Sequence, residues 1–233
     1  MNNVCLYCDS PISEIISWRG LFHSEPQYLC GDCKSGLQPI TGERCTQCSR
    51  SIDKLPDDLI KGEVCLDCYR WEKDPKWKGI LENNTSLFEY NDFLREYLAR
   101  YKYRGDHILA KEFGLQISNC LKSFHYDLIS TIPLSQERHY ERGFNQSTAL
   151  LEAAGIDSSN ILSRIHSEKQ SKKSRQQRLQ QKQIFTLPDA NLNGQSILLF
   201  DDIYTTGTTL RQAAKLLKEA GARQVSSLTL ARG

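Results

Sequence analysis

The sequence has no long apolar run, almost no surplus charge and, beyond its first 68 residues, almost no cysteine. No stretch approaches the roughly 18 consecutive apolar residues that cross a bilayer, which excludes a membrane-spanning helix. The opening MNNVCLYCDS also lacks the basic-then-apolar order of an export signal, so a cytoplasmic protein without membrane insertion is expected. A formal net charge of +2 in 233 residues excludes strong general attraction to nucleic acid, and any such binding must come from a local patch. No Gly-Lys-Thr/Ser P-loop is present. His107, His125, His139 and His166 show no spacing that suggests a metal site or a catalytic triad. Of the nine cysteines only Cys120 lies in the last 165 residues, where Leu115, Ile117 and Leu121 make it read as a buried apolar residue.

What is there begins with the other eight cysteines. Cys5/Cys8, Cys30/Cys33, Cys45/Cys48 and Cys65/Cys68 are four C-x-x-C pairs, each able to give two thiolates to one edge of a tetrahedral zinc. In a reducing compartment such pairs read as metal ligands rather than disulfides, and a redox C-x-x-C would come singly. Two structural zinc ions with four sulfurs each account for all eight. Pairing in sequence order closes the shortest loops, while a cross-brace joining Cys5/Cys8 to Cys45/Cys48 stays open. Such a closed site leaves no position for a catalytic water, so it serves to fold a segment with little core of its own. Zinc ribbons of this kind either present surface to nucleic acid or protein, or brace the domain beside them.

Residues 197–209 read ILLFDDIYTTGTT. The apolar run Ile197 to Phe200 predicts a strand buried on both faces, and Leu210, Ala213, Ala214 and Leu217 predict a helix after the turn. A turn of Thr205, Thr206, Gly207, Thr208 and Thr209 entering a helix can aim several backbone N–H groups and the helix dipole at one phosphate. Asp201 and Asp202, which only accept, sit where α/β sheets place ligands and suit vicinal sugar hydroxyls. A ribose phosphate satisfies both halves. The alternative is an ordinary strand-to-helix turn with Asp202 or a threonine as its cap.

The rest alternates strand and helix, which predicts a doubly wound, mostly parallel α/β sheet. Strands are expected near 86–90, 127–132, 161–165, 183–187, 196–200 and 224–230. Helices are expected from Asn91, from Asp106 to Phe124, after Gln146 and from 208 to 220. We divide the chain into a double zinc-binding unit at 1–70, a linker at 71–85 in which Trp71 and Trp77 pack the parts together, and an α/β domain at 86–233. The stretch PLSQERHYERGFNQ is expected to be a loop at the sheet edge, bringing Arg138 and Arg142 to a second anion unless they merely pair with Glu137 or Glu141. From Arg164 to Lys182 the charge is +6, with Lys172, Lys173, Arg175 and Arg178 in a segment poor in apolar anchors.

The apolar run, two acids and Thr-Gly-Thr-Thr turn closely resemble the 5-phosphoribosyl-1-pyrophosphate (PRPP) motif of type I phosphoribosyltransferases. Together with the four cysteine pairs, YKYRG and the run from IPL to RGFNQ, they resemble the ComF family of competence proteins along nearly the whole chain. The resemblance implies a type I phosphoribosyltransferase-like domain binding PRPP with magnesium. It puts Thr205 to Thr209 on the 5-phosphate, Asp201 and Asp202 on the ribose hydroxyls and at the catalytic centre, and Arg138, Arg142 and Arg178 on pyrophosphate. It implies a closing loop in which Gln170 and Arg178 fit the family while Gln181 replaces an Asn. It further implies single-stranded DNA handling in natural transformation, through Lys172, Lys173, Arg175 and Arg178, beside a DNA-translocating ATPase (ComFA-like) at the inner face of the membrane. Two readings follow: a PRPP-site module for DNA uptake, or an active transferase acting on a nucleobase-like or DNA acceptor. No separate hood that would select an acceptor is legible.

Overall fold

The computed structural model describes residues 4–12, 26–103, 105–165, 184–188 and 191–233. Four parallel strands form the centre, in the order β3 (Asn84–Glu89), β8 (Gln224–Arg232), β7 (Ser196–Tyr204) and β4 (Leu128–Thr131). Alternation along β7 sorts its side chains between two cores. Ile197 and Leu199 share one apolar cluster with Leu210, Ala213, Ala214 and Leu217 of helix α7 (Thr208–Glu219). Leu198 and Phe200 share the other with Tyr97 of α3 (Asp92–Tyr103), Phe113, Ile117 of α4 (Gly114–Leu121) and Leu150 of α6 (Gln146–Ala153). Helices therefore cover both faces, as the sequence pattern predicts.

The cysteines divide between the same two cores. Cys5 and Cys33 lie in the cluster under α3, whereas Cys45, Cys48, Cys65 and Cys68 lie in the cluster under α7. The edge strand β3 is covered by the cysteine-bearing segment, which removes an open row of backbone groups. The Ile40 N–H donates to the Leu87 carbonyl at 2.9 Å, Glu89 N–H to Gln38 at 2.8 Å and Asn84 N–H to Gln47 at 2.8 Å. Short helices α1 (Gly31–Gly36) and α2 (Leu66–Lys73) and the hairpin of β1 (Ile60–Lys61) and β2 (Val64–Cys65) complete this part.

Three sequence expectations change. The helix expected from Asp106 to Phe124 starts as a 3-10 turn, His107–Phe113, before α4. Its junction residue Gly114 lies so close to α6 that a Cβ would sit 2.2 Å from the Ala153 carbonyl oxygen. The expected loop from Pro133 to Gln146 contains helix α5 (Gln136–Arg142), capped by Ser135. Among the described residues, the strands expected at 161–165 and 183–187 are present as β5 (Ser163–Arg164) and β6 (Phe185–Thr186), paired antiparallel with each other outside the central sheet. Residues 166–183, with Gln170, Lys172, Lys173, Arg175, Arg178 and Gln181, lie outside the described residues. No described helix is long and apolar enough to cross a membrane.

Candidate functional site

Strand β7 runs on through both acids to Tyr204, because β8 keeps pairing with it as far as Arg232. The strand end thus fixes Asp201 and Asp202 rigidly. Asp201 Oδ1 accepts from the Ser147 hydroxyl at 3.0 Å and from the Asp202 N–H at 2.9 Å. Asp202 forms an ion pair with Lys102, from the last turn of α3, with both side chains about nine-tenths covered. Sequence spacing does not single out Lys102, although it lies in the YKYRG motif.

Burial, and after it the neighbouring Asp202 carboxylate, push Asp201 up to about 7. Its folded value lies above its unfolded one, so folding takes up a proton between the ordinary carboxylate range and about 7. Stability contributed by this group is fully present at low pH and falls as pH rises across that window. The ionised form is the stronger acceptor for hydroxyl donors. Were Mg-PRPP the ligand, its affinity would rise with pH up to about 7 by as much as about tenfold per unit. Titration calorimetry across pH checks this, and Asp201→Asn should lose the inflection.

After Tyr204 the chain turns through Thr205 to Thr209 into α7. Gly207 is the N-cap, at φ 76°. A Cβ there would lie 2.2 Å from the Tyr204 hydroxyl oxygen and 2.4 Å from an Arg211 guanidinium nitrogen, so the position excludes any side chain. Thr205, Thr206 and Thr208 are exposed, and the Thr206 and Thr208 hydroxyls are 2.9 Å apart. Threonine hydroxyls and the first-turn N–H groups of α7, of which Thr208 N–H donates to Thr206 Oγ1 at 3.4 Å, thus meet beside two carboxylates at the C-terminal edge of the sheet.

The two arginines expected to hold a second anion part company. Arg138 is exposed on α5. Arg142 donates to Gln146 Oε1 at 2.7 Å and lies 5.4 Å from the Tyr103 ring centre, while its buried Nε has no partner among the described residues. Gly143 ends α5 in the left-handed region, and Asn145 caps α6 by accepting from Ser147 N–H at 2.9 Å while donating to the Ile132 carbonyl at 3.1 Å. The Tyr101 hydroxyl donates to the Gln146 carbonyl at 2.8 Å. The RGFNQ run is thus wired into the fold, and its Asn cap positions the serine that holds Asp201.

Arg164 is a further cation that the sequence shows only as part of a basic run. Burial first, then the charge of Arg138, lower its guanidinium, while Asp201 acts the other way, which puts it in electrostatic reach of both. Arg164 also lines a cavity of about 820 Å³ with His107, Leu134, Tyr140, Phe144 and Glu152.

The eight paired cysteines gather in sequence order. Cys5, Cys8, Cys30 and Cys33 form one group and Cys45, Cys48, Cys65 and Cys68 the other, with the sulfurs of each group within 4.8 Å of one another. The Sγ atoms of Cys8 and Cys30 are 3.6 Å apart, and those of Cys48 and Cys65 3.7 Å. Tetrahedral zinc with bonds of about 2.3 Å holds sulfurs about 3.8 Å apart, so both groups could hold a metal ion and fit zinc. The cross-brace is ruled out.

Residues 158–233 match the phosphoribosyl transferase domain family. The parallel sheet, its helices and that match give the chain a phosphoribosyltransferase-type fold. Over 98% of its length the chain is 40% identical to competence protein ComFC of Bacillus subtilis, covering 95% of that protein. It is 34% identical, again over 98% of its length, to competence protein ComFC of Streptococcus pneumoniae, covering 99% of it. The chain belongs to the ComFC family of competence proteins. Among solved structures, 53% of the chain is similar to 26% of a glutamine PRPP amidotransferase from Bacillus subtilis, at 21% identity and a TM-score of 0.38.

Proposed function

We propose that this protein binds Mg-PRPP at the β7–α7 turn and handles single-stranded DNA during natural transformation. Membership of the ComFC family supports the role in competence. The observation that carries the ligand is the meeting of the Gly207-capped threonine turn with Asp201, Asp202 and Lys102 at one edge of a parallel sheet. Thr205 to Thr209 hold the 5-phosphate and Asp201 and Asp202 the ribose hydroxyls. Arg138, Arg142 and Arg178 hold pyrophosphate. Magnesium, kept mainly by the ligand's own oxygens, would neutralise the phosphates. Both cysteine groups carry structural zinc. The protein works in the cytoplasm, at the inner face of the membrane beside a ComFA-like DNA-translocating ATPase.

Lys172, Lys173, Arg175 and Arg178 pair with DNA phosphates. Binding of a single-stranded oligonucleotide, followed by anisotropy, is expected to weaken steeply with salt. Neutralising those four residues should lower the log–log slope by roughly 0.7 for each phosphate that no longer has a cation beside it. Binding unaffected by these changes removes the segment from the account.

The second reading, transfer of phosphoribose to a nucleobase-like or DNA acceptor, is favoured by the cavity lined by Arg164, Asn145 and Thr148, the last two flanking the Ser147 that holds Asp201. Phe144 and His107 form its aromatic wall, with ring centres 5.0 Å apart, and Tyr140 stands 93% exposed at its rim. Transfer would break the C1–O bond with the electron pair leaving on pyrophosphate, and join C1 to the acceptor, which sheds a proton. The nearby carboxylates would stabilise the cationic ribosyl centre. Pyrophosphate release from PRPP across candidate acceptors, with and without DNA, separates the two readings.

A further inference from the structure

Beneath the threonine turn lies a buried positive charge that no carboxylate pairs with among the described residues. Arg211, one turn into α7, is 1% exposed. It donates to the Tyr204 hydroxyl at 2.5 Å and its guanidinium stacks 4.8 Å from the Trp71 ring centre. Its Nε has no hydrogen-bond partner, and it forms no ion pair with a carboxylate, among the described residues. The guanidinium abuts Gly207, whose missing side chain is what leaves room for it. A buried cation with only neutral partners is costly, and an anion seated on the turn offsets that cost.

The same place is tied to the second cysteine group by two routes. Helix α2 starts directly after Cys65, its N-cap residue, holds Cys68 in its first turn, and one turn later carries Trp71. The Trp71 indole N–H donates to the Thr206 carbonyl at 3.1 Å, a bond between residues 135 positions apart. By the other route, Arg232 donates from Nε to Cys48 Sγ at 3.4 Å and from Nη1 to the Tyr204 carbonyl at 3.2 Å, with its guanidinium 4.9 Å from the Tyr204 ring centre. The first group sends its contacts elsewhere: Tyr7, between Cys5 and Cys8, stacks on Tyr97 of α3 at 5.2 Å.

We propose that Trp71 and Arg211 are positioning residues for the phosphate turn, Arg211 as a buried charge beneath it and Trp71 as the strut that joins it to the second cysteine group. The proposal rests on reading the turn as a phosphate site. It makes anion affinity depend on how α2 is held, although no cysteine touches the ligand. Trp71→Phe keeps a ring face for Arg211 and removes only the donor to Thr206. Arg211→Lys keeps the charge without the planar stack, and Arg211→Met removes both.

The test is titration calorimetry of the full chain with Mg-PRPP and with ribose 5-phosphate, alongside metal content, thermal midpoint and tryptophan emission. Trp71→Phe is expected to weaken both ligands by about threefold to tenfold, as loss of one hydrogen bond does, with the same metal content as the parent. Arg211→Met should weaken them further, and Arg211→Lys should recover part of that loss. Ligand-induced change in emission should persist in Trp77→Phe and vanish in Trp71→Phe. Affinities that stay at the parent value in folded Trp71→Phe and Arg211→Met, even with a lowered midpoint, overturn the proposal and leave the site reading standing. A parent chain that binds neither ligand overturns both.

Discussion

Cys68→Ser is expected to lower the thermal midpoint of the whole phosphoribosyltransferase-type body, by on the order of 10 °C or more, rather than loosening a small appendage. Cys45, Cys48, Cys65 and Cys68 are 0–1% exposed and share one apolar cluster with Ile197, Leu199, Leu217 and Val225. With a metal ion on the four sulfurs, as proposed, losing one ligand would weaken the ion's contribution to folding by several kcal/mol, and each kcal/mol shifts a chain of this size by roughly 2–4 °C. The first group is less enclosed, since Cys8 is exposed and Cys30 half-buried, so Cys8→Ser should cost less. Differential scanning calorimetry with metal analysis reads both. An unchanged main transition in Cys68→Ser would show that the second group does not brace the sheet.

Gly207→Ala is expected to weaken Mg-PRPP binding by about two orders of magnitude while the sheet stays folded. Two costs add. A non-glycine residue at φ 76° costs about 1–2 kcal/mol, and the new methyl would start 2.2 Å from the Tyr204 hydroxyl oxygen and 2.4 Å from Arg211. The turn, whose Thr205, Thr206 and Thr208 are exposed, can relieve both by shifting outward, which keeps the fold but would scatter the N–H groups proposed to face the phosphate. Titration calorimetry measures the loss and far-ultraviolet circular dichroism the retained fold. Affinity within about threefold of the parent would contradict the assignment of Gly207 to the cradle.

The parts of this molecule that are legible in the sequence are those with a local signature. Ile197 to Phe200 followed by two acids announces a buried strand with its ligand end, and the i, i+3, i+4 spacing from Leu210 announces α7. Asn91 reads as the cap of α3, and its Oδ1 does accept the Leu94 N–H at 2.9 Å. The cysteines assemble as the shorter loops favour. Helix α5 reads as loop because its seven residues bury no side chain and so carry no apolar period. β5 and β6 read too long because they pair only with each other, outside the central sheet, over a two-residue ladder extended by the Ile165 N–H donating to the Ile184 carbonyl. Lys102, Ser147, Trp71 and Arg211 escape a sequence reading of their roles for a different reason. Each acts on a residue distant in sequence or on its buried side, as Ser147 does on Asp201 and Trp71 on Thr206, and no spacing rule exposes such pairs.

The central claim is that the β7–α7 turn is a PRPP site, and calorimetric titration of Mg-PRPP into the full chain tests it most directly. The account predicts saturable binding to the parent chain, lost in the variant carrying Asp201→Asn and Asp202→Asn although that variant keeps its metal content and thermal transition. No binding to the parent, or equal binding to the variant, would contradict it.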